Sequence, residues 1–493
     1  MKKQTRTLLF FSFLAMFFVI TPVIIGYSRG YRIEWNTRKI VKIGALFIEP
    51  RPAPVELFIN GKFEKKTNFV FQNIYIDSLL PKTYNLQVKK TGYHTWLKNL
   101  PIDPGLVTQI KNLNLFPKDA VAVKVFSDIN LMSVSPSQQN AILVSHKTGD
   151  LNLPKVYIYD LNTKESKILF EASKPIRDFA ITEILWSDDS ARAIFIFENG
   201  NLQKKWLIAD IGEGRLIFSD LESEIRANRN FTENTEVLPE FSIVSVKWEQ
   251  NGSSRIFFVA TGESVASQNG KLGLLFEYNL DKRSVSDSLA KDILDYAISG
   301  ENAVYFSSQT HNLKTLDLSM GSAEPLTLSS TSIKNFDEIR FVTENIFLAG
   351  SGYLKEAFVY IPETKELKKI GGKIFAAIPS TRNDKIMFLQ KYSILVYWMN
   401  DVSNQPFHKR GDLLKIATFT DPNALNSAIW FSDTDEHIIF SDANSIKIAE
   451  LDYRDKINAY DIADYSADQM SYIQTNGILN FLHHQKFYQI SLK

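Results

Sequence analysis

Apolar positions follow three successive patterns along this chain, and the changes between them divide it. From Leu8 to Ile25 eighteen consecutive residues carry no charge. As a helix rising about 1.5 Å per residue they reach roughly 27 Å, most of a bilayer core. From Gly44 the period drops to two, the signature of strands. "GALFIEP" and "VELFING" alternate and end in Asn60-Gly61, a dipeptide that tolerates the positive φ of a tight hairpin. "IYIDSLLPKTYNLQVKKTGYHTW" predicts two more strands with Pro81 at the turn, and Pro104-Gly105 precedes a last one. Several short strands with regular turns over residues 44–116 predict a small β-sandwich.

Past Pro117 a longer period appears. An apolar strand, a Ser- and Asp-rich turn, an "Ile-x-Phe" strand, a loop and a "Val-Tyr-Ile-Tyr-Asp" strand recur. Copies include "MSVSPSQQNAILVS", "EILWSDDSARAIFIF", "SVKWEQNGSSRIFFVA" and "AIWFSDTDEHIIFSD". A four-stranded unit repeating about every 40–50 residues predicts a β-propeller. The last copy, Met470 to Leu492, holds only three strands, and "AVAVKVF" (Ala120 to Phe126) stands unpaired before the first. Joining the two closes the ring and removes its open sheet edges. Seven full copies and one split copy give eight blades, with seven the alternative. The polar stretch Ser219 to Glu240 reads as an inserted loop.

The fold class is thus mainly β behind an N-terminal transmembrane helix. The partition is a short cytoplasmic tail (1–7), a signal-anchor helix (8–27), a basic linker (28–43), the sandwich (44–116) and the propeller (117–493). Leu8, Phe10, Phe13 and Phe17 form the first half of the span, and Ile20, Ile24 and Ile25 the second, with Pro22 in the last turn. A cleaved signal peptide is the rival reading, with Gly26-Tyr27-Ser28 as its small-x-small site. Its apolar core is ordinarily about 7–15 residues, shorter than this one. Lys2, Lys3 and Arg6 favour a cytoplasmic N-terminus. Arg29, Arg32, Arg38, Lys39 and Lys42 pull the other way, but a long domain translocates largely regardless of charge. The expected arrangement is N-terminus inside and bulk outside.

Composition narrows the classes. Fifty-six basic against fifty-five acidic residues leave a net charge of +1, without the basic excess that nucleic acid demands. There is no cysteine, so disulfides, thiolate zinc sites and a Cys nucleophile are excluded.

The order of elements after the helix resembles a PEGA domain, a small extracytoplasmic β-sandwich module. Pro52 matches the motif's proline, with Ala53, Pro54 and Val55 where Glu-Gly-Ala would follow. Its hairpin is matched by Leu57, Ile59, Asn60 and Gly61, and its "L-x-P-G-x-Y" segment by Leu79, Pro81 and Tyr84, with Lys82 replacing glycine. Lys90, Gly92, Tyr93 and Trp96 match "K-x-G-Y-x-x-W", and Pro104 and Gly105 the late Pro-Gly. The resemblance covers residues 44–116 and implies a spacer or adhesion unit without activity. The repeats similarly resemble the TolB-like and WD40-like propellers of bacterial envelope proteins.

Candidate chemistry is sparse. No G-x-S-x-G elbow and no H-E-x-x-H occurs. His483 and His484 are expected on opposite faces of a strand, as an exposed pair and not a shared metal site. Ser187-Asp188-Asp189 and the acidic run Asp433, Asp435 and Glu436 read as hairpin turns; the second lacks the glycine and spaced ligands of a calcium loop. Tyr93 and Trp96 read as packing aromatics. Trp186, Trp248 and Trp430 recur just before the polar turn of three copies and read as inter-blade core. No catalytic, metal or cofactor residue is assigned. The leading expectation is a non-enzymatic, membrane-anchored envelope protein whose propeller binds a protein or a cell-wall glycan. The alternatives are a glycan-acting enzyme with carboxylates dispersed over several blades, and a purely structural assembly factor.

Overall fold

A computed structural model describes the chain except residues 1–2, 36–37, 147–153, 172–178, 202, 212–217, 229–240, 251, 264–270, 311, 319–321, 326–337, 351–353, 365 and 433. Helix α1 spans Lys3–Ser28. Its 23-residue stretch Arg6–Ser28 is long and apolar enough to cross a membrane and none of it is buried by the rest of the protein. Leu8, Phe10, Phe13, Phe17, Ile20, Ile24 and Ile25 are all exposed on it.

The expected linker at 28–43 is not a featureless one. Strands β1 (Tyr31–Glu34) and β2 (Lys39–Lys42) pair antiparallel as a hairpin. The segment is rich in basic residues, yet Y-R-I-E and K-I-V-K each alternate as strands do.

The sandwich follows as β3 (Gly44–Arg51), β4 (Glu56–Ile59), β5 (Lys62–Lys66), β6 (Ile74–Leu79), β7 (Thr83–Lys89), β8 (Trp96–Pro101) and β9 (Val107–Asn114). One sheet runs β6-β3-β9 and the other β5-β4-β7-β8. Leu46, Ile48 and Ile110 of the first close on Leu57, Leu86, Val88 and Leu100 of the second in one core. Asn60 (φ 49°) and Gly61 (φ 78°) turn β4 into β5. The Asn60 side chain also accepts the Asn85 backbone N–H at 3.0 Å, tying the turn to β7.

The repeats form antiparallel four-stranded units, in which the four strands run outward in chain order. Leu131–Val134 begins unit 1, Phe179–Trp186 unit 2, Phe241–Trp248 unit 3 and Ile293–Ser299 unit 4. A seven-stranded sheet from Glu338 to Thr418 holds units 5 and 6, which share the 14-residue strand Glu366–Pro379. Its first half is the outer strand of unit 5, and its second half is the inner strand of unit 6. Ser427–Trp430 begins unit 7, and Gln469–Ile473 unit 8. Among the described residues the four-strand pattern thus occurs eight times. Unit 8 takes its fourth strand from the other end of the repeat region: Val123–Ser127 pairs with Lys486–Ser491. First strands touch between units 1 and 2, 4 and 5, and 7 and 8, and that of unit 1 touches that of unit 8. The protein is mainly β, with a propeller behind an apolar helix.

The segment read as a loop from Ser219 to Glu240 begins with structure. Phe218–Asp220 is the outer strand of unit 2, and α2 (Leu221–Arg226) follows with Asp220 as N-cap. Leu221 and Ile225 on α2 are buried between units 2 and 3. Residues 229–240 lie outside the described residues.

Candidate functional site

The polar turns after the inner strands hold the units together. Ser135, Ser187 and Ser380 each follow an inner strand, and each hydroxyl accepts the backbone N–H five residues on, from Asn140, Arg192 and Lys385. In each turn the serine N–H donates back to that residue's carbonyl. In unit 3 the longer Glu249 side chain does the same work, accepting from the N–H groups of Ser254 and Arg255. Ser187 and Asp189 therefore serve a turn, with Ser187 Oγ donating to Asp189 Oδ1 at 2.7 Å.

The three recurring tryptophans each reach back one unit. Trp186 Nε1 donates to Ser133 Oγ at 3.0 Å, Trp248 Nε1 to the Leu185 carbonyl at 2.9 Å, and Trp430 Nε1 to the Ile378 carbonyl at 3.0 Å. A tryptophan whose N–H finds a partner can be buried between two sheets without loss. Asp435, also read from sequence as turn material, accepts from Thr381 Oγ1 and the Arg382 N–H of the preceding unit. Glu436 pairs with the buried Lys385 at 3.3 Å. Both described carboxylates of the weighed calcium loop are thus spent on the unit 6–7 contact, while Asp433 lies outside the described residues.

The inner strands of units 1 to 5 line one cavity of about 910 Å³. Asp295 stands at its wall, 3.2 Å from Lys247 of unit 3, and accepts the Phe341 N–H of unit 5 at 2.9 Å. Beside it Tyr296 is fully buried and donates to the Phe257 carbonyl, and burial holds its phenol far above the usual range. Glu183, Lys204 and Arg340 face the same cavity as exposed groups. Among the described residues no cluster of three or more His, Cys, Asp or Glu could hold a metal ion.

His483 and His484 depart from the expectation. His483 ends a strand, but His484 sits at φ 47° in the turn beyond it, so the strand's alternation does not separate them. Their rings approach to 4.1 Å, and His483 Nδ1 bonds the Ser466 carbonyl at 2.6 Å.

A second polar concentration lies where the sandwich meets units 6 and 7. Lys98 on β8 is completely buried, 2.9 Å from Glu450 Oε1 of unit 7, and donates to the carbonyls of Asp452, Arg454 and Lys456. Trp96, two residues earlier, donates its indole N–H to the other Glu450 oxygen at 2.9 Å. Arg454 reaches the Gln109 carbonyl of β9 at 3.0 Å, and Gln405 accepts the Gln109 N–H at 3.0 Å. His94 stacks on Tyr460 at 4.9 Å. Phe116 packs edge-on against Phe431 and His437. A cavity of about 210 Å³ remains in this junction, bordered by Lys385, Trp398, His408, His437 and Asp452. His408 stacks on Trp398 at 3.7 Å. Burial, reinforced by nearby Lys98, pushes the His437 imidazole down to about 3, so it is neutral at ordinary pH. Burial raises the Glu450 carboxyl even though Lys98 pulls the other way.

The remaining motif residues are structural. Pro52 follows β3, Pro81 and Pro104 stand in turns, and Tyr84 donates to the Leu80 carbonyl at 3.1 Å. Gly92 (φ 81°) and Gly105 (φ 72°) occupy left-handed positions. Tyr93 is half-buried against the sandwich core.

Comparison with solved structures finds similarities at low sequence identity. The Swd1 β-propeller domain of Myceliophteria thermophila aligns with 12% identity over 76% of this chain and 100% of its own, at a TM-score of 0.41. The β-propeller domain of the Trilobed protease from Pyrococcus furiosus aligns at 11% identity over 77% of this chain and 100% of its own, with TM-score 0.35. An oligogalacturonate lyase from Vibrio parahaemolyticus aligns at 8% identity over 70% of this chain and 96% of its own, with TM-score 0.40. No protein-family model matches the chain, and no curated protein does.

Sequence reasoning overlooked Lys98, although a signal was present. In W-L-K-N-L the inward positions of β8 are Trp96, Lys98 and Leu100, and a lysine between two core residues demands a buried partner.

Proposed function

We propose that this is a single-pass membrane protein whose bulk lies outside the cytoplasm, and that its propeller is a non-enzymatic platform for a protein or cell-wall glycan. The observation that carries the reading is the continuity of the path from helix to propeller. Helix α1 leads through the hairpin into a sandwich resembling a PEGA module, and that sandwich is fastened to units 6 and 7 by Lys98, Trp96 and Arg454. The module thus acts as a bracket fixed to the propeller, where the PEGA resemblance implies a spacer or adhesion unit. The channel charges Asp295, Lys247 and Glu249 have structural partners, which supports holding over turnover.

Photo-crosslinking tests the reading. Full-length protein in its native membrane carries a photoreactive amino acid at Glu183 or Arg340, on the cavity wall. The reading expects one discrete crosslinked protein or glycan species that is absent with the label at Tyr392. Turnover of an envelope glycan or peptide, abolished by Glu183→Gln, would place the protein among enzymes instead.

A further inference from the structure

The β1–β2 hairpin is turned inside out for a water-exposed element. Its register pairs Ile33 with Ile40 and Tyr31 with Lys42, so these four side chains share one face. That face is open: Ile40 is 71% exposed, Ile33 52% and Tyr31 44%, and Trp35, just past β1, is 81% exposed. The opposite face carries Arg32, Glu34 and Val41, all half-buried, and Lys39, which is exposed at its end. The apolar side is therefore the one turned away from the protein. A two-stranded ribbon is marginal by itself in water, and an uncovered apolar face adds to that cost.

Position and charge say what covers it. Helix α1 ends at Ser28, and Gly30 at φ 86° turns the chain directly into β1. The Ile43 N–H donates to the Gly30 carbonyl at 2.8 Å, so both ends of the hairpin are tied to the end of the span. Arg32 packs over the Tyr27 ring at 3.4 Å and donates to the Tyr27 and Tyr31 carbonyls, which fixes the hairpin to the last helical turn. From Arg29 to Lys42 the segment carries five basic residues and one acidic, Glu34. Arg29, Arg38, Lys39 and Lys42 are exposed.

We infer that this hairpin lies in the headgroup layer of the bilayer that α1 spans. Tyr31, Ile33, Trp35 and Ile40 enter the interface, and the basic residues bind anionic phospholipid headgroups. Aromatic rings settle at that depth, and basic side chains are drawn to an anionic lipid surface. The inference rests on α1 remaining as a membrane anchor.

Because the chain has no cysteine, single labels are clean. Full-length variants Ile33→Cys, Ile40→Cys, Val41→Cys and Phe17→Cys carry an environment-sensitive fluorophore. They are reconstituted into phosphatidylcholine nanodiscs with or without phosphatidylglycerol. Headgroup-attached spin labels should quench the probes at 33 and 40 several-fold more than the probe at 41. Phosphatidylglycerol should strengthen that quenching. Replacing Arg29, Arg38, Lys39 and Lys42 together by Gln should remove the phosphatidylglycerol increment while the probe at 17 stays in the hydrocarbon. Equal quenching at 33, 40 and 41 with the probe at 17 still in the hydrocarbon would overturn the inference and leave the anchor standing. A water-exposed probe at 17 would overturn both.

Discussion

Lys98 of the sandwich and Glu450 of the propeller stand 2.9 Å apart, with side chains 0% and 8% exposed. A buried pair of this kind adds little net stability while intact, yet removing one partner strands the other charge. Lys98→Ala should therefore cost about 3–5 kcal/mol. Lys98→Met combined with Glu450→Gln should cost clearly less than the two single changes summed. The denaturant midpoint of the full chain in detergent measures both, and strict additivity would show that the two residues do not form a unit.

The turn serines make a graded prediction. Ser380→Ala removes an acceptor from the Lys385 N–H and should destabilise by roughly 1–2 kcal/mol. In unit 7 Phe431 takes the place that Ser187 holds in unit 2, its N–H donating to the His437 carbonyl. Ser432 stands one residue late, and its buried hydroxyl has no hydrogen-bond partner among the described residues. Ser432→Ala should therefore be neutral or slightly stabilising. A comparable loss at both sites in thermal melts would contradict the role given to the turn.

The turn chemistry also shows where sequence suffices. Alternation, Asn60-Gly61 and the recurring polar turns after the inner strands expose the sandwich and the repeats because they are local. The shared strand Glu366–Pro379 was not legible, because no Pro or Asp between its two halves marks the passage from unit 5 to unit 6. The junction was hidden for another reason. Lys98 and Glu450 are 352 positions apart, and only the fold brings them together.

His437 predicts a pH dependence. Its folded-state pKa, about 3, lies below an unfolded value near 6.5. The unfolded chain therefore takes up a proton first, and the contribution present above pH 6.5 is lost as pH falls towards 3, by roughly 3–5 kcal/mol in all. His437→Gln should flatten the fall in stability between pH 6.5 and pH 3 relative to the parent. Parallel curves across that window would show that His437 is not buried as a neutral group.

Ring closure depends on Phe126, whose ring meets Tyr159 of unit 1 at 5.6 Å and Phe487 of unit 8 at 6.3 Å. The Phe126 ring is only partly buried, so Phe126→Ala should cost about 1–3 kcal/mol, less than a fully buried phenylalanine. Deleting residues 118–127 bares the edge of Lys486–Ser491, and the product should aggregate. An unchanged melting temperature after that deletion would refute the closure.

The proposed function requires the propeller to lie outside the cytoplasm with α1 still attached. In the cysteine-free chain, Tyr392→Cys places one thiol on an exposed turn of unit 6, and Gln4→Cys places one at the other end of α1. Intact cells are treated with a membrane-impermeant maleimide. The account predicts labelling at 392 in intact cells, labelling at 4 only after permeabilisation, and the full-length chain retained in the membrane fraction. Labelling at 4 but not at 392 in intact cells, or a shortened chain released from the membrane, would contradict it.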